Sequence, residues 1–86
     1  MHELTLVTSL CARAEAAAHQ AGAEQVTALS IRLGALTHLS PELLRDHLAR
    51  ASAGSILEGA RVDVTVGTDP SAPGAQDIEL LNLQVR

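Results

Sequence analysis

The chain opens Met1-His2-Glu3, so a free α-amine, a backbone amide and an imidazole stand within one residue of each other. Such donors can close small chelate rings around a single ion. The amide of Glu3 could add a fourth nitrogen, and its carboxylate lies close by. Four nitrogens in or near a plane suit Ni(II) or Cu(II), whereas Zn(II) prefers a tetrahedron. His2 is a bulky second residue, of the kind that leaves an initiator Met uncleaved, so the amine stays on Met1. Taken alone, an exposed histidine ahead of a helix explains the same residues, and that is the commoner case. His38, in a turn before the second helix, could approach the amino terminus and lend an outer or axial ligand, although a solvated turn histidine is the simpler reading. His19 and His47 read as structural or exposed. No Ser/His/Asp or Cys/His arrangement has a defensible spacing and no P-loop pattern occurs, so no enzyme activity is expected.

The elements that must position this amino terminus are legible from periodicity. Between Glu3 and about Ala21, Leu4, Val7, Leu10, Cys11, Ala14 and Ala18 recur every three or four residues and predict an amphipathic helix stopped by Gly22. Glu3 sits in its first turn, where a carboxylate is favoured by the helix dipole. Cys11 falls on the apolar stripe and reads as a small buried hydrophobe. From Gln25 to Gly34, Thr27, Leu29, Ile31 and Leu33 alternate with Ala28, Ser30 and Arg32, a strand with one buried face. Ser40, Pro41 and Glu42 form a helix start. The second helix runs to about Ser52, with Leu43, Leu44, His47, Leu48 and Ala51 on its inner side. Leu57-Glu58-Gly59 is a turn, and Ala60 to Val66 alternates as the second strand. Gly67 to Gln76, with Pro70 and Pro73, is a surface connection free to move. Asp77 to Val85 is the last strand, whose alternation changes phase near Leu80-Leu81 and so calls for a β-bulge there or a strand apolar on both faces. The order helix-strand-helix-strand-strand predicts a two-layer α/β domain, two helices on one face of a three-stranded sheet, the last two strands forming an antiparallel pair.

Composition narrows the function classes. Eighty-six residues make one domain, 1–86, with a single modest core. The net charge of −4 and only six basic residues, all Arg, argue against a nucleic-acid footprint. No stretch approaches a membrane span and no signal peptide is evident, so a cytoplasmic protein is expected. The lone cysteine excludes an internal disulfide and a multi-cysteine zinc site. With no Trp, Tyr or Phe, base stacking and aromatic cages are excluded, and the core must be aliphatic.

Met1-His2-Glu3-Leu4, the segment Leu29-Ser30-Ile31-Arg32-Leu33-Gly34-Ala35-Leu36-Thr37, then Ser40-Pro41-Glu42-Leu43-Leu44, Leu57-Glu58-Gly59-Ala60 and the closing Ile78 to Val85 stand in the order and spacing of the HypA family. The chain resembles these nickel metallochaperones of [NiFe]-hydrogenase maturation over essentially its whole length. The resemblance implies transient Ni(II) held by the Met1 amine, the His2 imidazole and the amides of His2 and Glu3. It also implies partnership with a HypB-like GTPase and the hydrogenase large subunit, and in some members a role in urease maturation. The family carries a zinc domain of two Cys-x-x-Cys pairs between the last two strands. Here residues 67–76 stand in its place without Cys or His, so no zinc is expected. The alternative is a metal-free interaction domain that keeps the HypA fold. The open edges of a three-stranded sheet leave a homodimer as a further option.

Overall fold

A computed structural model describes residues 3–86, and for Glu3 only its backbone. The elements run α1 (Glu3–Gln20), β1 (Val26–Leu33), α2 (Pro41–Ser52), β2 (Arg61–Val66) and β3 (Ile78–Val85). This is the α/β order that the periodicity predicts. α1 ends where Gly22 takes φ of 69°, letting Gly22 N–H reach His19 O and Ala23 N–H reach Ala18 O. A residue with a Cβ would be strained in that left-handed turn. α2 starts on Ser40, whose Oγ accepts from Leu43 N–H at 3.1 Å, with Pro41 in the first turn.

The sheet order is β2-β1-β3, with β1 parallel to β2 and antiparallel to β3. This corrects the expected pairing of the last two strands, which never touch along an edge. β1 is the most buried strand, with Leu29, Ile31 and Leu33 at 2% exposure or less, and a neighbour on each side completes that burial. The segment after β2 therefore crosses the end of β1 rather than turning back as a hairpin. The phase change in β3 is a bulge: Ile31 faces Leu80, Ser30 faces Asn82, and Leu81 is the extra residue. A second register shift lies between Val26 and Ala28. It leaves Thr27 exposed and Val26 buried, the reverse of simple alternation at that end.

Both helices lie on one face of the sheet. Val7, Leu10, Cys11, Ala14 and Ala18 of α1 and Leu44 and Leu48 of α2 share one cluster with Leu29, Ile31, Leu33, Leu57 and Ile78. Leu43 and Ala51, expected inside, are exposed, and Ser52 is buried instead. α2 is rotated so that Leu44, Leu48 and Ser52, one residue in four, face the sheet. The other sheet face is polar and carries two exposed ion pairs, Arg32–Glu79 at 2.6 Å and Arg61–Asp63 at 3.1 Å.

Candidate functional site

α1 hands its C-terminal end to the start of β1, because Glu24 N–H donates to Arg86 O at the foot of the sheet. Its buried positions run from Val7 to Ala18 along the core, so its first turn lies toward the far end of β1. The parallel β1–α2–β2 path brings the Gly34–Leu39 connection, the start of α2 and the exit of β2 to that same end. The domain thus presents one end built from connections and helix starts.

That end is held by backbone contact. Gly34 N–H donates to Asp77 O at 2.9 Å, and Leu36 N–H to Ala75 O at 2.8 Å. Thr37 closes the turn, its Oγ1 and N–H both donating to Gly34 O. A Cβ on Gly34 would stand 2.2 Å from Ala75 O. Only glycine permits the two connections to pack this closely. The connection expected to be free is therefore pinned along its second half, and Ala75 is 7% exposed. In the first half, Asp69 accepts from the Ser71 hydroxyl at 2.7 Å and from Ser71 N–H at 2.9 Å. Those two bonds hold the Asp69 carboxyl below its ordinary value.

Of the predicted metal ligands, Met1 and His2 lie outside the described residues, and Glu3 begins α1 with its side chain likewise outside them. His38 is exposed in the Gly34–Leu39 connection, at the same end of the domain as the first turn of α1. His19 is exposed in the last turn of α1, at the opposite end, where a basic group suits the helix dipole. The half-buried His47 shares its Nδ1 with Arg50 at 3.1 Å. Among the described residues no three His, Cys, Asp or Glu side chains converge on a metal position. Cys11, 5% exposed against the sheet, has its thiol pushed up by burial and secondarily by the Glu15 carboxylate. It is a poor nucleophile and a poor ligand there. With residues 67–76 lacking Cys and His, these 86 residues do not supply the donors of a two-Cys-x-x-Cys zinc site.

Two structural residues escaped the sequence reading. Gly34 reads in sequence as a strand stop, whereas its real constraint is the Gly74–Ala75 backbone, distant in the chain. Arg45, to which the sequence pattern assigns no role, donates its Nε–H to Val62 O on β2 at 3.2 Å. Neither contact has a local signal.

Among the described residues no helix is long and apolar enough to cross a membrane. Residues 1–69 match the family model described as hydrogenase/urease nickel incorporation, metallochaperone, hypA. The hydrogenase maturation factor HypA of Methylocella silvestris is 38% identical over 66 residues, covering 77% of this chain and 58% of that protein. The same factor from Roseiflexus sp. is 44% identical over 64 residues, 74% of this chain and 52% of its own length. The chain thus spans little more than half the length of these relatives. The solution structure of the Ni metallochaperone HypA from Helicobacter pylori superposes with a TM-score of 0.81 at 18% identity, over 99% of this chain and 97% of that one. That likeness carries the fold, helix order and mixed sheet included. Since the matched residues include the Met-His-Glu start and every element through β2, the chain belongs to the HypA family.

Proposed function

We propose that this chain is a nickel metallochaperone, taking up Ni(II) transiently at Met1, His2 and Glu3 and passing it to [NiFe]-hydrogenase maturation in the cytoplasm. The observation that carries this reading is that the family match begins at residue 1 and so includes the chelating start. The amine, the imidazole and the amides of His2 and Glu3 are the nitrogen set that a tetragonal ion takes. The first N–H groups of a helix have no intrahelical acceptor, so amides at the head of α1 can serve as ligands without breaking a helix bond. The positive end of the helix dipole works against a cation there, and deprotonated amides with the Glu3 carboxylate offset it. A HypB-like GTPase and the hydrogenase large subunit are the proposed partners, with urease as a second client. No catalytic step is assigned to the chain.

The test is a nickel titration of tag-free protein bearing an authentic Met1, followed by calorimetry and visible absorbance. One Ni(II) per chain with a planar-site band is expected, lost in His2→Ala and lost when one residue is added before Met1. Stoichiometric binding retained in either variant would overturn the assignment. A folded protein that takes up no nickel would leave partner contact as the function.

A further inference from the structure

The outer edge of β2 is unoccupied by any strand among the described residues. Gly67 N–H donates to Leu33 O at 2.7 Å, and in the parallel register Arg61, Asp63 and Thr65 share that orientation toward β1. The N–H and C=O groups of Val62, Val64 and Val66 therefore point away from β1. Val62 O bears this out, since its partner is the Arg45 side chain and not a strand. β2 pairs without a register shift, whereas the opposite edge strand, β3, carries the Leu81 bulge, a feature that discourages edge pairing.

Beside this edge, between α2 and the sheet, lies a cleft of about 210 Å³. Buried Leu29, Leu48 and Leu57 line it with Val62, and exposed Arg45 and Ala49 stand at its mouth. It has room for one leucine- or phenylalanine-sized side chain. A strand added to β2 would turn every second side chain toward the α2 side, where the cleft is. Arg45 spends only Nε on Val62 O, and the ion pairs among the described residues involve Arg32 and Arg61. In a chain of net charge −4, a guanidinium with no carboxylate partner among the described residues, at a groove mouth, calls for an acidic ligand group.

We propose that the free edge of β2 and the adjoining α2 cleft bind an extended peptide segment of another protein, one that carries a bulky apolar side chain next to a carboxylate. The segment's N–H and C=O groups pair with Val62, Val64 and Val66, its apolar side chain fills the cleft, and its carboxylate meets Arg45. This surface is independent of the nickel reading, and its test uses metal-free protein.

The experiment is NMR titration of the isotope-labelled chain with short blocked peptides alternating Thr and Val around a central Leu or Phe, each made with Glu or Gln beside it. The amides of Val62, Val64 and Val66 should shift and exchange more slowly, with the Glu peptides binding more tightly than their Gln counterparts. Ala49→Glu, an exposed change that places a carboxylate in the mouth, should weaken binding by roughly tenfold or more. Val64→Pro removes an edge N–H that β1 does not use and should abolish binding, its fold checked by circular dichroism. No shift with any peptide, shifts confined to β3 or α1, or equal affinity in folded Ala49→Glu would overturn the proposal. Slowed exchange at the three valines that grows with protein concentration alone would also overturn it, assigning the edge to a second copy of the chain.

Discussion

At the level of single residues, proton competition governs the proposed nickel site. The imidazole ordinarily titrates at about 6.5 and an α-amine at about 7.7–8.0, and both must be deprotonated to ligate. Nickel affinity should therefore fall steadily as pH drops from 8 toward 6, read by titration at stepped pH. An affinity unchanged across that window would place the ion elsewhere. Cys11 offers a second reading of chemistry through environment. Because folding holds the thiol protonated, stability should be unaffected below the thiol's unfolded value and decline as pH rises above it. Alkylation of Cys11 should be slow in native protein and fast in urea, measured by mass spectrometry. Its apolar place on the helix stripe was plain in the sequence; the nearby Glu15 carboxylate adds to an effect that burial already sets.

Elements answer to register. Deleting Leu81 from β3 leaves Ile78, Leu80, Leu83 and Val85 alternating with Glu79, Asn82 and Gln84, a regular strand that keeps the present pairs with Ile31, Ser30 and Leu29. The deletion should thus shift stability by only about 1 kcal/mol, whereas deleting Ser30 from central β1 exchanges its two faces beyond that point and should prevent folding. With no aromatic residue in the chain, both are followed by far-ultraviolet circular dichroism in urea. Ser40→Ala should cost about 1 kcal/mol through the lost cap on α2. Gly34→Ala should cost more than Ser40→Ala, because the obstacle to its Cβ is the backbone of Ala75 and not a side chain that can swing aside. A stability loss in Gly34→Ala no greater than that of the cap variant would mean the two connections separate without penalty.

For the molecule as a whole, cohesion is apolar. The two side-chain ion pairs among the described residues are both exposed on the outer sheet face. Pairs of that kind contribute about 0–1 kcal/mol each and are screened by salt. Raising sodium chloride to molar levels should leave the urea midpoint nearly unchanged, and a large drop would reveal an ionic contribution the fold does not display. Truncating a fully buried core side chain, as in Leu10→Ala, should cost about 2–5 kcal/mol. For a single core of this size, that is a large share of the total stability.

Helices, strands and the bulge are written into short-range pattern, since a period of three to four, a period of two, a cap or a phase break each involve only neighbouring residues. The proposed chelating start rests on short-range pattern too: its donors adjoin one another in the chain. Which strands lie side by side is decided over longer range. Alternation in β2 and β3 is equally compatible with a hairpin between them, and only the need to cover both edges of β1 places it in the middle. The same holds for Gly34 against Ala75, for Arg45 on Val62 and for the rotation that buries Ser52 while exposing Leu43. Each depends on surfaces distant in sequence that become neighbours when the two layers close on one another.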